Sequence, residues 1–404
     1  MSRISSQLRA AVIFDMLGPY HVARLSALGE QCQTLGLEIS ARSNTYGWER
    51  VEYEGSFERE TLFPMSDSSL IPYPEISRSV GTALARFKPS VVFVPGWASR
   101  AALAALGWCL DRGIPAVVMS ESTAADHERA RWKESLKGQI ISCFCAGLVG
   151  GDPQRTYLAS MGMAADTIVL GYDAVDNAHF ARGAARVRAE GSSARARLGL
   201  PNHFFLSCAR FIPIKNLTGV LEAFAAFCRL CPASKTSLVM LGDGEQRRQL
   251  EEVRRTLKLE DRVIFPGFKQ YGDLPNYYGL ADVFIHMSRI EPWGLVVNEA
   301  MAAGLPVVTS VQCGCASTLV QDGKNGYSVQ FDAIDKLADR LARLEASVEL
   351  RARMSADSQE IISAWGPERF AQATCEAADI GLARGPVVPS WTQRAVLGAL
   401  SRAL

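Results

Sequence analysis

The feature that most constrains the fold is a repeated alternation of short apolar runs, rich in Val and Ile, with longer amphipathic stretches. In such an order each run predicts a buried parallel strand, and each amphipathic stretch predicts a helix that crosses back over the sheet. At 404 residues the chain exceeds the usual size of one core, so two α/β domains are expected. The predicted strands are Ala10–Phe14, Val91–Val94, Ala116–Met119, Gly147–Val149, Phe204–Cys208, Ser237–Leu241, Arg262–Phe265, Val283–His286 and Pro306–Thr309.

The alternation stops near the middle of the chain, where the sequence reads ARGAARVRAEGSSARARLGL. Aromatic residues are missing there, and Gly, Ser and Arg dominate. A composition with little to bury is typical of a connection between domains. We therefore predict a first domain over residues 1–180, a linker over 181–201, a second α/β domain over 202–365 and a helical tail over 366–404 that packs back on the first domain. The last stretch of the tail, Trp391–Leu404, is amphipathic, and a membrane-surface anchor is the alternative for it.

Charge and hydropathy exclude several classes of protein. A formal net charge of +1 provides no overall field for nucleic acid, so we expect no nucleic-acid partner. No uninterrupted apolar segment approaches the roughly 18 residues that span a bilayer. The first apolar run leads into Gly18-Pro19 without a cleavage pattern, which favours a strand over an export signal. We predict a cytoplasmic protein with at most peripheral contact to the inner membrane.

Ten cysteines are scattered along the chain. The close pairs, Cys143 with Cys145 and Cys313 with Cys315, lack the spacing of zinc ligands. We interpret them as reduced thiols and predict no metal site.

The densest group of informative residues runs from Ser288 to Pro306, directly after the predicted strand Val283–His286. Pro292 predicts the start of a helix, and Gly304 followed by Pro306 predicts its end. A helix N-terminus at the carboxyl end of a strand is where open α/β sheets bind ligands. Its amides and dipole favour an anion such as a diphosphate.

Two carboxylates belong to this group. Glu291 precedes the predicted helix, and Glu299 lies within it. Each could accept hydrogen bonds from a pair of sugar hydroxyls, one pair on a transferred hexose and one on a ribose. The alternative is that Glu291 caps the helix and Glu299 faces solvent.

A second group, Arg210 and Lys215, follows the predicted strand Phe204–Cys208. Two cations on such a loop can neutralise a diphosphate leaving group, which is otherwise the task of a divalent metal. No Asp-x-Asp metal cradle stands at a comparable strand end. Taken alone, two solvated surface cations are the alternative.

A third group, Gly242-Asp243-Gly244, follows the predicted strand Ser237–Leu241. Its glycines would let the backbone approach a ligand closely. A plain turn is the alternative.

In this order and spacing the motifs resemble the family 4 retaining glycosyltransferases. The resemblance covers about Phe204 to Val329. The matching segments are Arg210 with Lys215, Gly242–Gly244, Val263–Phe268, Ala281–Phe284, Glu291 with Glu299, Ala300–Val308 and Asp322–Tyr327.

The resemblance implies a GT-B architecture, with two Rossmann-like domains whose parallel sheets face each other across a cleft. It implies that Arg210 and Lys215 bind the donor diphosphate, that Glu291 binds the donor sugar and that Glu299 binds the ribose. It also implies that the donor phosphates are bound by backbone amides of Trp293, Gly294 and Leu295. The base would be flanked by Gly267 and Phe268.

The first domain matches the family less closely. Gly18 alone remains of the glycine pair that the family usually keeps after its first strand. A histidine that commonly lies near the reacting sugar is replaced here by the stretch Ser120–Thr123. His127 and Glu121 are candidates for that role, and a structural polar group is the alternative for both. One predicted helical stripe in this domain combines Arg129, Lys133 and Lys137 with Trp132 and Leu136. Such a stripe could contact the phosphates of a lipid, and the alternative is a helix face that is solvated.

The function implied is metal-independent, retaining transfer of a hexose from a UDP- or GDP-type sugar to a saccharide or lipid-linked acceptor, in polysaccharide or glycoconjugate biosynthesis. No cofactor is expected. A nucleotide-sugar epimerase and a non-catalytic nucleotide-sugar binding subunit are the alternatives. An NAD-dependent oxidoreductase is disfavoured because no Gly-x-Gly-x-x-Gly opens a helix after a strand.

Overall fold

The computed structural model describes residues 8–42, 51, 55–126 and 129–403. The strands, in chain order, are β1 Arg9–Phe14, β2 Gln33–Arg42, β3 Glu58–Asp67, β4 Val91–Pro95, β5 Ala116–Ser120, β6 Ala146–Val149, β7 Ile168–Leu170, β8 Phe204–Cys208, β9 Ser237–Leu241, β10 Val263–Gly267, β11 Val283–His286, β12 Val307–Ser310 and β13 Gly326–Val329. The helices are α1 Pro19–Gly29, α2 Tyr73–Phe87, α3 Arg100–Arg112, α4 Arg131–Ile141, α5 Asp152–Ser160, α6 Asn177–Glu190, α7 Ser192–Leu198, α8 Leu217–Leu230, α9 Arg247–Thr256, α10 Leu274–Leu280, α11 Leu295–Ala302, α12 Ala316–Leu319, α13 Ile334–Ala346, α14 Val348–Ser363, α15 Pro367–Arg384 and α16 Trp391–Ala403.

The chain divides into two compact units, one formed by residues 1–174 with 367–404 and the other by residues 175–366. In the described part of the first unit, a parallel sheet has the strand order β3-β2-β1-β4-β5-β6-β7. Both faces of this sheet are buried, as in other parallel sheets. Ile13 of β1 lies in the core on one face, whereas Val12 and Phe14 lie in the core on the other, together with Phe370 of α15.

The described strands of the second unit also form a parallel sheet, in the order β10-β9-β8-β11-β12-β13. From β8 the chain first builds outward through β9 and β10 and then returns to add β11 on the other side. The point between β8 and β11 is therefore a topological switch point, and ligands of open α/β sheets bind at the carboxyl ends of the strands that flank it.

Every predicted strand is present, with bounds shifted by two residues at most, and the predicted α/β class with parallel sheets is confirmed. The sequence does not predict β2, β3, β7 or β13. The sequences of β2 and β3, QTLGLEISAR and ERETLFPMSD, carry many polar residues, and β7 is only three residues long. Such strands lack the continuous apolar run that identifies a buried strand.

Residues 181–201, predicted as a linker, lie largely in α6 and α7 and belong to the second unit. Helix α6 packs closely on α10, where a Cβ on Gly183 would stand 2.4 Å from Cβ of Pro275. Val187 on the same helix is fully buried. Ala and Arg are strong helix formers, so this composition encodes helix although it lacks large apolar residues.

All ten cysteines are free thiols. Within the described ranges, no group of three or more His, Cys, Asp or Glu is arranged to hold a metal ion. None of the described helices combines the length and the apolarity that crossing a membrane requires.

Candidate functional site

Two charged side chains meet at the switch point of the second unit. Lys215 Nζ, from the loop after β8, donates to Glu291 Oε2, from the loop after β11, over 2.5 Å. The side chains are only 13% and 11% exposed. Because β8 and β11 are adjacent parallel strands, their carboxyl ends bring together residues that lie 76 positions apart. The structure thus unites one predicted diphosphate ligand with the predicted sugar ligand.

Glu291 Oε2 accepts two further hydrogen bonds that the sequence does not predict. His286 Nε2 lies 2.8 Å away and Ser288 Oγ lies 3.1 Å away. Since a carboxylate only accepts, Nε2 of His286 must carry a proton in this arrangement. One feature of the sequence could have indicated a role for His286 in the site: it is a histidine at the last position of a predicted buried strand, five residues before Glu291.

The electrostatics of this cluster keep Glu291 ionised. Burial alone would raise its pKa, but the hydrogen bond and charge of His286, together with Lys215, lower the pKa of Glu291 to about 2. All the hydrogen bonds of the Glu291 side chain within the described residues go to Oε2. Oε1 is therefore available to accept from a ligand hydroxyl.

Backbone contacts hold the two loops of the site together. Arg289 N donates to Ile214 O over 2.8 Å, which ties the loop after β11 to the loop after β8. Asn216 adopts a left-handed conformation with φ of +52°, and its Nδ2 donates to Phe331 O over 2.8 Å. The side chain of Lys215 is therefore presented from a fixed backbone.

Arg210 lies in the same loop after β8 and is exposed. The next residue, Phe211, is fully buried, and its N–H donates to Asp243 O over 2.8 Å. At Gly242, where φ is +128°, a Cβ would stand 1.9 Å from Ala209 O, and at Gly244, where φ is +152°, it would stand 2.7 Å from Phe211 O. These glycines thus allow their backbone to pack closely against the loop that carries Arg210, and this packing holds the loop in place.

Helix α11 begins at Leu295, so the predicted start at Pro292 is wrong by three residues. The segment before it is extended instead, because Gly314 N donates to Glu291 O over 2.9 Å and Cys315 N donates to Trp293 O over 3.0 Å. Gly294, with φ of +103°, turns the chain into the helix. No described side chain caps this N-terminus, so Glu291 is not the cap that the alternative interpretation required.

The indole of Trp293 is 1% exposed, and its Nε1 donates to Asn298 Oδ1 over 3.0 Å. Its ring centroid lies 5.9 Å from that of Trp365. The side chain therefore packs inside the unit, and any ligand contact at this position would come from the backbone.

Glu299 is fully buried within α11 and accepts from the Tyr278 hydroxyl over 2.6 Å. The alternative of a solvated Glu299 is therefore wrong. Burial and the charge of Glu299 raise the pKa of the nearby Cys208 thiol to about 12. Binding of a ribose by Glu299 stays a prediction.

The predicted base-binding residues lie at the end of β10. Gly267 has φ of +82°, and its carbonyl accepts from Gly242 N over 3.1 Å. Phe268 is 44% exposed, so an aromatic face is accessible at this edge of the sheet. Their contact with a base also stays a prediction.

In the first unit, Gly18 precedes α1 and its N–H donates to His21 Nδ1 over 3.2 Å. Burial and the neighbouring Arg24 charge lower the pKa of His21 to about 3, so the ring is neutral and can accept. The Gly18 N–H is accordingly engaged by His21, and contact of Gly18 with a donor phosphate stays a prediction.

Of the two candidates for the missing histidine, His127 lies outside the described residues. Glu121 follows β5 and lies close enough to the buried carboxyl of Asp173 for its charge to act on it. Burial and the charge of Glu121 raise the pKa of Asp173 well above its usual range, although Arg24 Nη2 lies 3.7 Å from its Oδ1. A role for Glu121 at the reacting sugar stays a prediction.

The predicted helical stripe is wrong for Arg129, which precedes α4 (Arg131–Ile141), and the positive charges of the stripe are largely neutralised. Arg129 and Lys137 both pair with Glu134, at 3.3 and 2.8 Å. The guanidinium of Arg129 also stacks on Tyr157, 4.0 Å from its centroid. Lys133 remains exposed, with Nζ 5.5 Å from the ring centroid of Trp132.

The match to a family model falls largely within the second unit. Residues 193–360 match the family model of glycosyl transferases group 1. Alpha-monoglucosyldiacylglycerol synthase of Acholeplasma laidlawii is 28% identical over 182 residues, which cover 45% of this chain and 44% of that protein. D-inositol 3-phosphate glycosyltransferase of Saccharomonospora viridis is 35% identical over 178 residues, covering 42% and 41%. The chain thus spans less than half the length of these relatives.

Solved structures match nearly the whole chain. Sucrose-phosphate synthase from Thermosynechococcus elongatus superposes with a TM-score of 0.70 at 18% identity, over 91% of this chain and 98% of that one. HepE of Anabaena, solved with UDP and glucose, gives a TM-score of 0.69 at 19% identity over the same shares. These likenesses confirm the predicted GT-B fold class. Residues 193–360 are thus similar to the glycosyl transferases group 1 family, in agreement with the resemblance that the motifs of this segment indicate.

Proposed function

We propose that this protein transfers a hexose-type sugar from a nucleoside diphosphate sugar to a hydroxyl acceptor, with retention of anomeric configuration. The observation that carries the proposal is the Lys215–Glu291 pair at the switch point between β8 and β11. It combines a cation for a diphosphate with an ionised carboxylate for sugar hydroxyls, beside the uncapped N-terminus of α11.

The donor in this proposal lies along the carboxyl edge of the second sheet. Arg210, Lys215 and the first amides of α11 bind the diphosphate, and Oε1 of Glu291 accepts from the sugar. Glu299 binds the ribose at the other side of α11, and the Gly267–Phe268 turn flanks the base. A UDP- or GDP-type donor fits this order, and HepE, which shares the fold, was solved with UDP and glucose.

The chemical step breaks the bond between the anomeric carbon and the diphosphate oxygen. The acceptor oxygen forms the new glycosidic bond, and its proton passes to the departing diphosphate, so charge and atoms balance. Lys215, Arg210 and the α11 amides stabilise the negative charge that grows on the leaving group. We propose that these groups replace a divalent metal, and that no other cofactor takes part.

Within the proposed retention, the state of Glu291 disfavours a covalent intermediate on its carboxylate. Its hydrogen bonds lower its pKa to about 2, which makes it a weak base and a weak nucleophile. A covalent intermediate on this carboxylate is therefore unfavourable. Attack from the face that the diphosphate leaves gives retention without such an intermediate, and the protein mainly positions the reactants.

The acceptor is proposed to be a saccharide or a lipid-linked hydroxyl compound, in polysaccharide or glycoconjugate synthesis. The names of relatives that match the second unit include a diacylglycerol glycoside synthase and an inositol phosphate glycosyltransferase. We place the reaction in the cytoplasm, where nucleotide sugars are made, with at most peripheral contact to the inner membrane.

The experiment has two stages. Thermal shift with UDP, GDP and their hexose conjugates first identifies the donor, since a ligand at 100 times its dissociation constant stabilises by about 2.7 kcal/mol. The protein is then incubated with that donor and a panel of saccharide and glycolipid acceptors, and NMR of the product assigns the anomeric configuration.

An α-linked product from an α-linked donor supports the proposal, and an inverted product contradicts retention. Free nucleotide with an altered sugar in the absence of acceptor would identify an epimerase. Donor binding without transfer to any acceptor, and without slow hydrolysis, would identify a binding subunit. Lys324→Ala, an exposed lysine outside the site, is the matched control for Lys215→Ala at each stage.

A further inference from the structure

Helix α16 is apolar on two faces, although only one of them packs against the protein. Val396, Leu397 and Leu400 lie against the core of the first unit. On another side of the helix Trp391, Ala395 and Ala399 recur every four residues and are exposed. Trp391 is 80% exposed, which is unusual for a side chain of its size. The second stripe therefore has a purpose other than packing within the unit.

The segment leading into α16 extends this apolar surface. Val388 is 87% exposed three residues before Trp391. Pro389, between them, is buried and fixes the segment on the body. Two large apolar side chains thus project into solvent at the start of the helix.

The charged residues of this C-terminal segment have one sign. Residues 380–404 contain no Asp or Glu and three arginines, Arg384, Arg394 and Arg402, all of them exposed. Arg394 Nη1 lies 3.8 Å from Asp111 Oδ1, but both side chains are more than half exposed, so this pair is weak. The surface therefore complements an anionic partner.

The helix is also held in place before any partner binds. Gln393 Nε2 donates to Ser142 Oγ over 2.8 Å, and the Cys145 thiol donates to Gly385 O over 3.0 Å. Binding through α16 would therefore not require the helix to fold at that moment, which favours affinity.

We propose that the exposed face of α16, formed by Trp391, Ala395 and Ala399 with Arg394 and Arg402, docks together with the preceding Val388 on an anionic membrane surface. Trp391 and Val388 enter the boundary between headgroups and acyl chains, where a Trp ring is well accommodated. The arginines contact lipid phosphates. A second copy of the chain fits less well, because a two-fold dimer would place the same arginines against one another.

The test is cosedimentation of the full chain with vesicles of phosphatidylcholine alone or mixed with phosphatidylglycerol. We expect binding to the mixed vesicles that weakens as salt is raised, and little binding to phosphatidylcholine alone. Arg394→Gln with Arg402→Gln should weaken binding on the order of thirtyfold, at about 1 kcal/mol per arginine. Trp391→Ser should weaken it as well, without changing the melting temperature.

Val348→Ser and Arg353→Gln are the matched controls, since both residues are exposed on α14 of the second unit. They should bind vesicles like the wild type. Equal binding by Trp391→Ser and the wild type, or no binding to the mixed vesicles, overturns the proposal. So does a wild-type dimer in light scattering that Trp391→Ser converts to a monomer. None of these readouts depends on transferase activity.

Discussion

Lys215 and Glu291 neutralise each other across the two loops of the switch point, with Nζ 2.5 Å from Oε2. Glu291 also accepts hydrogen bonds from His286 and Ser288 on the same oxygen, so its carboxylate stays hydrogen-bonded if Lys215 turns toward an arriving diphosphate. The lysine can therefore exchange one anionic partner for another without leaving a buried carboxylate unsatisfied. This relationship decides which kinetic constant each substitution should change.

Lys215→Ala is expected to reduce turnover on the order of a hundredfold or more, the usual cost of losing one donor to a developing negative charge. Donor KM should change much less, because the interaction strengthens as the glycosidic bond breaks. Steady-state kinetics with varied donor measures both constants. Lys324→Ala should leave both unchanged, and a large rise in KM with normal turnover for Lys215→Ala would contradict the assigned role.

Glu291→Gln tests the electrostatics of the cluster. The folded pKa, about 2, lies below the ordinary value of 4.5, so the carboxylate stabilises the fold above pH 4.5. That contribution is lost as the pH falls toward 2. We expect the variant to be less stable than wild type by about 1–3 kcal/mol at neutral pH, as for lost hydrogen bonds to a charged group.

The difference in free energy of unfolding between wild type and Glu291→Gln should shrink as the pH falls from 4.5 toward 2. Urea unfolding across this range measures it. Glu360→Gln, at an exposed position on α14, is the control and should follow the wild type. A difference that is constant over pH would mean that Glu291 is not ionised in the folded protein.

Glu299→Gln separates ribose binding from chemistry. A ribose contact is equally strong in the ground and transition states, so donor KM should rise while turnover changes little. Affinity for the free nucleoside diphosphate, measured by calorimetry, should fall by the same factor. Glu299 also accepts from Tyr278, so Tyr278→Phe serves as the comparison that removes this hydrogen bond and keeps the carboxylate. An unchanged nucleoside diphosphate affinity for Glu299→Gln would exclude the ribose contact.

Transfer should continue in excess chelator, because cationic side chains and helix amides are proposed to take the place of a metal at the diphosphate. The measurement is the initial rate with and without EDTA, after dialysis against chelator. Loss of activity that magnesium or manganese restores would show that the proposal is wrong on this point.

Gly242→Ala should distort the Arg210 loop. The added Cβ would collide with Ala209 O in a backbone with φ of +128°. Gly267→Ala shares a positive φ but meets no atom within 4 Å, and Gly272→Ala has neither strain nor a neighbour. We expect no loss of stability for Gly272→Ala, about 1 kcal/mol for Gly267→Ala, and at least about 2–3 kcal/mol for Gly242→Ala. Equal melting temperatures for all three would contradict this account.

Much of the second unit was predictable because its strands are continuous apolar runs and its ligand-binding loops follow directly. Parallel pairing places the ends of adjacent strands together, so the sequence positions of Lys215 and Glu291 already indicated that they would lie near each other. His286 was missed because a histidine at the end of a buried strand is ordinarily interpreted as a core residue, and its contact with Glu291 is evident only in the structure. Its role depends on a three-dimensional contact, which residue type alone does not encode.

The helix in the supposed linker was missed for a different reason. The stretch around Val187 was judged by how little large apolar surface it offers, and helix propensity was given too little weight. Small residues pack helices closely, as Gly183 does against Pro275, and such contacts leave few large side chains in the sequence. The start of helix α11 was predicted three residues too early, because a proline is compatible with the first turn of a helix and also with a non-helical segment before it.

The first unit is assembled from two separate parts of the chain, whereas the second is continuous. Residues of α15, among them Phe370 and Ala377, complete a core whose remaining residues lie before position 175. During synthesis from the N-terminus, the ribosome therefore releases all of the second unit before it supplies α15. At that stage the second unit is complete, while one face of the first sheet still lacks the helix that covers it, and this leaves that face exposed to chaperones and to aggregation.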